Sequence, residues 1–338
     1  MNYTELPNNY TPQPTCTACG FEGKIIYPTL IDRLFSIKGT WSMSKCVNSQ
    51  CDLHWLNPSP NPDILSSFYS NYYTHTAEPK GGAGKRLYTE AIDGYLARRY
   101  GYSSPKTLVS KLGKWLIAAI PTLRDDAAAR IFWLESRPKG RLLEVGFGNG
   151  ATLARLKSVG WSVTGVEFDP VSVELAKSRN LDVRLGSLAE CNFNDRSFDA
   201  VVASHLIEHL PNPRFYLVEC ARILKPGGKL VLTTPNVTSF GHRLFGSNWR
   251  GLEPPRHLQI FGPKSLKKIA QESGFKKVEV FTTARSGHII SESMRSAFKL
   301  NPAKRGRIEI ELIAIIFWFI ALWRGPLTDE EIRLECER

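Results

Sequence analysis

Gly146, Gly148 and Gly150 stand at alternate positions directly after the apolar run Arg141-Leu-Leu-Glu-Val145, and Glu144 precedes the first of them by two residues. Glycines spaced in this way let the backbone turn sharply and press against a ligand, so the run predicts a strand entering a nucleotide-cradling turn. A helix is expected over Ala151 to Gly160, where Leu153, Leu156 and Lys157 fall at helical spacing. With Ala151 the run also fits the dinucleotide form G-x-G-x-x-A, which keeps a nicotinamide enzyme in view. No Gly-Lys-Ser/Thr follows, and this excludes a phosphate-transfer loop. Glu167, with Phe168 after it, ends the next expected strand about twenty residues beyond the glycines, where a carboxylate can accept hydrogen bonds from ribose hydroxyls.

Two further sets of residues carry chemistry. His205-Leu-Ile-Glu-His209 follows the apolar run Ser197 to Ser204, and Glu253-Pro-Pro-Arg-His257 lies beyond the strand expected at Lys229 to Pro235. Histidine titrates closest to neutrality among the side chains, so His257 is the first candidate for a general base, with His209 and Glu253 behind it. His257 anchoring its loop by hydrogen bonds alone is the competing reading. Cys16-x2-Cys19 and Cys46-x4-Cys51 form two cysteine pairs separated by 26 residues. In a reducing compartment such pairs favour a closed tetrahedral Zn2+ site of four thiolates over disulfides. His54, three residues past Cys51, is an alternative fourth ligand, because the second pair is longer than the usual C-x2-C. Cys191, Cys220 and Cys336 are isolated and read as reduced thiols without catalytic duty.

Four blocks, LLEVGFGNG, VTGVEFD, SFDAVVASHLIEHLPNP and ILKPGGKLVLTTPN, occur in order along the chain. In them the chain resembles class I S-adenosylmethionine-dependent methyltransferases. The resemblance implies S-adenosyl-L-methionine as methyl donor, held by Glu144, Gly146, Gly148, Gly150, Glu167, Phe168, Ser187, Leu188 and His205. It extends to a subgroup with an amino-terminal cysteine module, similar to sugar and polysaccharide-pathway methyltransferases, through KCVNSQCDLHWLNPSPNPDILSSFYSNYY and GSNWRGLEPPRHLQIFGPKSLKKIAQESGF. That subgroup implies a sugar, nucleotide sugar or lipid-linked saccharide as acceptor, and Tyr72 and Tyr73 as residues bordering its pocket; packing under the proline-rich linker is the competing reading for the two tyrosines. Where many members carry an acid after the third strand to bind the adenine amine, this chain has Gly186-Ser187-Leu188, whose hydroxyl can replace it only weakly. A non-catalytic S-adenosylmethionine-binding scaffold and a nicotinamide-dependent dehydrogenase are the competing functions.

The elements that must position these residues follow from periodicity. Strands are expected near 141–146, 162–168, 182–186, 198–204, 229–235, 277–284 and 330–336, with helices between them, including Arg214 to Lys225 and one from Pro263 to Gly274. Such alternation predicts an α/β fold: a doubly wound, Rossmann-like, seven-stranded methyltransferase sheet preceded by a small zinc-ribbon-like module. Short ribbon strands are expected at Gly23 to Tyr27 and Thr40 to Cys46, and a helix at Asp63 to Tyr73. The expected divisions are 1–57 for the ribbon, 58–139 for a linker and helical cap, 140–285 for the catalytic core, 286–329 for an apolar helical insertion and 330–338 for the last strand.

At 42% hydrophobic and 22% charged residues the 338-residue chain is globular rather than disordered. Its formal net charge of +12 concentrates at Lys80 to Lys139 and Arg285 to Arg307. Such clusters suit phosphorylated substrates or an anionic membrane surface, or are a soluble basic surface; without an interleaved aromatic RNA-binding motif, no nucleic-acid partner is expected. The opening residues show neither a basic region nor an apolar stretch, so a cytoplasmic location is expected. Leu312 to Trp323 is the most apolar segment, too short as a helix to cross a bilayer. Burial, a homodimer surface, with Trp115 to Ile120 as a pairing stretch, or peripheral membrane contact are its three readings.

Overall fold

The computed structural model describes residues 9–35, 37–69, 82–136, 139–283, 285, 287–298 and 329–338. Two compact units make up the chain: Met1–Tyr72, His205–Leu217 and Thr233–Leu334 form one, and Tyr73–Ser204, Val218–Leu232 and Glu335–Arg338 the other.

In chain order the strands are β1 (Tyr10–Thr11), β2 (Gly23–Leu30), β3 (Trp41–Cys46), β4 (His54–Leu56), β5 (Ser59–Pro60), β6 (Arg141–Val145), β7 (Ser162–Glu167), β8 (Val183–Leu185), β9 (Phe198–Ser204), β10 (Leu224–Pro235), β11 (Gln259–Ile260), β12 (Lys276–Thr283) and β13 (Glu331–Glu337). The expected seven-stranded sheet is present, in the order β12-β13-β10-β9-β6-β7-β8. β6 pairs in parallel with β7 and β9, and β7 with β8. The chain therefore steps outward from β6 to β8 and returns to β9 on the other side of β6. That reversal opens a crevice at the carboxyl ends of the strands, where ligands bind in folds of this kind. Leu142, Leu143, Val201 and Val202 are fully buried, as strands covered on both faces require.

Helices α5 (Ala151–Ser158), α6 (Pro170–Ser178), α7 (Pro213–Ile223) and α9 (Pro263–Glu272) occupy the expected places. Asp169 caps α6 by accepting from the backbone N–H of Val171 at 3.2 Å and of Ser172 at 3.1 Å. Before the sheet, α2 (Ala83–Tyr100), α3 (Leu108–Ala119) and α4 (Pro121–Ala129) form a helical layer in the second unit. Trp115 of α3 is 55% exposed with the Arg98 guanidinium 3.8 Å above its ring. The stretch 312–323 lies outside the described residues. Among the described residues no helix is long and apolar enough to cross a membrane.

Two local expectations change. Pro226-Gly227-Gly228 does not precede its strand but lies within it, since β10 begins at Leu224. The cause is pairing at the chain's end, where Gly227 N–H donates to Arg338 O and Arg338 N–H to Gly228 O, at 3.2 and 3.1 Å. The helix expected over 63–73 is a single turn at Pro62–Leu65 followed by a 3-10 turn at Ser66–Tyr69. Ser67 Oγ donates to Ile64 O at 2.6 Å, a side-chain bond that competes with helix propagation; Tyr72 and Tyr73 lie outside the described residues.

The cysteine module shares its sheet with a later segment of the chain. A four-stranded sheet runs β11-β4-β3-β2, with Gln259 opposite Trp55 and Ile260 opposite His54. Trp41, Met43 and Leu56 of the ribbon share one apolar core with Trp249, Leu252, Leu258 and Ile260. The segment carrying Glu253 and His257 is thus built into the cysteine module.

Candidate active site

In the second unit, the glycine turn leaves β6 with Gly146, Gly148 and Gly150 all at positive φ (72°, 54° and 72°), a region that favours glycine over every residue with a Cβ. Glu167, at the end of β7, latches this turn: its Oε2 accepts from Gly148 N–H at 2.9 Å and its Oε1 from Phe168 N–H at 2.9 Å. Burial pushes the Glu167 carboxyl up, opposed by hydrogen bonds from the backbone of Gly148, Asp169 and Phe168. A carboxylate has about four acceptor sites, so Glu167 can hold the turn and still accept ribose hydroxyls. Phe168 is half-exposed beside it.

Glu144 is 4% exposed, and its Oε2 has no hydrogen-bond partner. Burial first, and then the charge of Glu167, push its pKa up to about 8. A buried acid with an orphaned oxygen fits a ligand that brings positive charge, which favours the ionised form. S-adenosylmethionine, with its sulfonium and ammonium groups, has that chemistry. Ser187 is exposed and its polar groups are engaged locally. The Ser187 N–H donates to Glu190 Oε2 at 2.7 Å, its hydroxyl accepts from Glu190 N–H at 3.3 Å, and Leu188 is buried.

In the first unit, His205 has a φ of 51°, uncommon for a residue with a Cβ. Its Nε2 lies 2.8 Å from Glu331 Oε2, and its Nδ1 3.3 Å from Glu208 Oε1. The two neighbouring carboxylates, Glu208 and Glu331, raise its pKa to about 10 and favour the charged ring.

His209 and His257 come together although 48 positions apart in sequence, with ring centroids 4.7 Å apart. His257 is 4% exposed, and its Nδ1 donates to Gly251 O at 2.7 Å. Burial pushes its pKa down to about 4, against the attraction of Glu253 and with a further lowering from His209. Its Nε2 thus carries a lone pair, 3.7 Å from Glu253 Oε2. Glu253 itself is committed elsewhere: Oε1 accepts from Arg256 Nε at 2.8 Å and Oε2 pairs with Arg250. Burial opposes its charge, yet His257, Arg250 and Arg256 hold the carboxyl well below the usual carboxylate range.

Arg256 and Asp32 were not singled out by sequence, yet they hold this loop. The Arg256 side chain is fully buried, with its guanidinium 3.2 Å from Asp32 Oδ1 of the cysteine module. Asp32 lies 224 positions away and no local pattern announces the pair. Glu208, quoted within its motif but assigned no role, is also fully buried, and its Oε2 accepts from Thr234 Oγ1 at 2.9 Å.

Cys16, Cys19, Cys46 and Cys51 form one cluster, their sulfurs all within 4.8 Å of one another. Sγ separations of 3.7 Å for Cys16 and Cys51, and 3.4 Å for Cys19 and Cys46, are far beyond a disulfide bond. Tetrahedral zinc with bonds of about 2.3 Å places its sulfurs about 3.8 Å apart, so the four thiols fit such an ion. Cys51 belongs to the cluster and His54 does not: His54 packs instead against His242, with ring centroids 5.5 Å apart.

Residues 116–280 match the family described as a methyltransferase domain. A Mycolicibacterium smegmatis protein named as a probable S-adenosylmethionine-dependent methyltransferase is 37% identical over 148 residues, 42% of this chain and 54% of that one. The mitochondrial ubiquinone biosynthesis O-methyltransferase of Rattus norvegicus is 31% identical over 150 residues, 40% of this chain and 44% of that one. The chain thus spans about half the length of the curated relatives it matches. Phosphoethanolamine N-methyltransferase 2 of Haemonchus contortus, solved with S-adenosyl-L-methionine, aligns over 89% of this chain and 70% of that one, with 18% identity and a TM-score of 0.46. Strand order and glycine turn agree with the match of residues 116–280 to a methyltransferase domain.

Proposed function

We propose that the protein transfers the methyl group of S-adenosylmethionine to a hydroxyl of a sugar, nucleotide sugar or lipid-linked saccharide. The observation that carries the reading is the Gly146–Gly150 turn latched by Glu167, inside the segment that matches a methyltransferase domain. The bound cofactor supplies a methyl carbon already activated by a sulfonium, so the protein's contribution is alignment and activation of the acceptor. Glu144, Glu167 and the glycine turn hold the cofactor. His257 is the residue on which acceptor activation depends, because its Nδ1–H is tied to Gly251 and its Nε2 lone pair is left available. His209 supports it, and Glu253, engaged by two guanidinium groups, positions the loop.

A polar acceptor is favoured by the cleft beside this loop. Its polar lining is Asp32, Arg33, Asn248, Arg250, Glu253 and Arg295, groups suited to hydroxyls and phosphates, set beside the apolar Ile31, Leu34, Trp249, Leu252 and Pro254, which suit a sugar's carbon face. A second reading is supported by the relatives named as ubiquinone biosynthesis O-methyltransferases: a phenolic hydroxyl on an apolar acceptor. Release of S-adenosylhomocysteine, measured across nucleotide sugars, lipid-linked saccharides and prenylated phenols, tests the choice. Turnover confined to the phenols overturns the sugar reading. Structural zinc in the four-cysteine cluster completes the proposal, with self-association or peripheral attachment to an anionic membrane through the 312–323 segment as further expectations.

A further inference from the structure

Glu208, His209 and His257 each offer one donor atom, and these atoms lie within 4.8 Å of one another. Both imidazoles are held by the ring nitrogen that a metal would not use. His257 Nδ1 is 2.7 Å from Gly251 O, and His209 Nδ1 is 3.1 Å from Arg256 O and 2.9 Å from the Tyr69 hydroxyl. A carbonyl only accepts, so each Nδ1 carries a proton, which makes Nε2 the ligating nitrogen of the neutral ring. Metal-ligating histidines are oriented in this way, by donation of the other ring N–H to a backbone carbonyl. The carboxylate is prepared likewise. Glu208 Oε2 is fixed by the Thr234 hydroxyl at 2.9 Å, while the buried Oε1 makes no aligned hydrogen bond. His205 Nδ1, 3.3 Å from that oxygen, is the nearest competitor, and its ring is held at the other nitrogen by Glu331.

We propose that Glu208 Oε1, His209 Nε2 and His257 Nε2 form a binding site for a divalent first-row transition cation. Two histidines and one carboxylate make a three-ligand set that leaves coordination positions open, and imidazole with carboxylate selects ions such as iron(II), cobalt(II), manganese(II) or zinc. Ligand bonds of about 2.0–2.2 Å put neighbouring donors about 3–3.5 Å apart, so the three atoms, within 4.8 Å of one another, draw together by about 1–2 Å through side-chain rotation on binding. This site is chemically unlike the four-thiolate cluster, which selects soft-ligand ions. It deepens the reading of His257 given above in one respect: an Nε2 that ligates a cation is not free to take a proton, and the open positions then receive the acceptor oxygen. Metal binding stands on the local geometry whether or not methyl transfer is the reaction.

Cobalt(II) is the probe. Full-length protein already carrying zinc is titrated with cobalt(II), and one further equivalent is expected to bind, with the weak visible absorption of nitrogen and oxygen ligands and no intense thiolate band. Proton spectra of the wild-type cobalt form should show two strongly shifted exchangeable signals, one from each Nδ1–H. His257→Ala and Glu208→Gln should abolish cobalt binding. Thr234→Val, which removes only the support of the carboxylate, should weaken binding about 10- to 100-fold. The wild-type spectra keep the test valid if a variant fails to fold. Absence of a second equivalent, thiolate bands alone, or a cobalt spectrum lacking shifted imidazole signals overturns the site. S-adenosylmethionine affinity, measured separately, reports on the methyltransferase reading.

Discussion

The rings of His209 and His257 meet edge to face, 70° between planes, and each is pinned by Nδ1 to a backbone carbonyl of the same 251–256 loop. The loop therefore sets the direction in which two basic nitrogens point. His257→Ala should lower turnover about 10²- to 10⁴-fold while leaving S-adenosylmethionine affinity nearly unchanged. Steady-state kinetics and calorimetry on the same variant check both halves, and wild-type turnover would remove His257 from acceptor activation.

Glu167→Ala removes the latch on the glycine turn together with the proposed acceptor for ribose hydroxyls. Cofactor binding should weaken by about 1.5–3 kcal/mol, the range for hydrogen bonds to a charged group. Calorimetry checks this, and NAD should show no binding to either form.

One equivalent of zinc per chain is expected by metal analysis of protein purified without added zinc. Cys19→Ser should lose the metal and lower the melting temperature, because the cysteine module shares its core with the 249–260 segment. Cofactor affinity should persist, since the glycine turn belongs to the other unit. A zinc-free native protein would contradict the cluster's role.

Arg256 is enclosed between two carboxylates, with the side chains of Asp32 and Glu253 almost wholly buried beside it. Arg256→Ala removes the cation shared by two buried carboxylates, leaving Glu253 with Arg250 and Asp32 with only its backbone N–H donors. Destabilisation of about 3–5 kcal/mol is expected in denaturant titrations.

Glu144 gives a pH signature. Its pKa rises from the ordinary 4.5 to about 8 in the folded chain, chiefly through burial. The folded state then keeps a proton that the unfolded state releases, so stability falls as pH rises from 4.5 through 8. Thermal melts of cofactor-free protein should show this decline, and Glu144→Gln should flatten it. A variant with the wild-type pH slope would assign the decline to another group.

Local spacing made the glycine-turn side of the molecule legible. The glycine turn, Glu167 and the strands around them are neighbours along a strand-turn-helix unit, where a few residues dictate backbone shape and apolar runs dictate burial. The same holds for Cys16, Cys19, Cys46 and Cys51, whose pairwise spacing is a property of the ligand geometry itself. Tertiary structure decided the rest. Ile260 pairs with His54, Arg256 with Asp32, and His257 with His209. None of these contacts leaves a periodic trace, because each joins segments that only packing of a shared core brings together. Glu208 shows the difference most plainly: its motif was visible, but its burial, its bond to Thr234 and its nearness to two oriented imidazoles exist only in the folded chain.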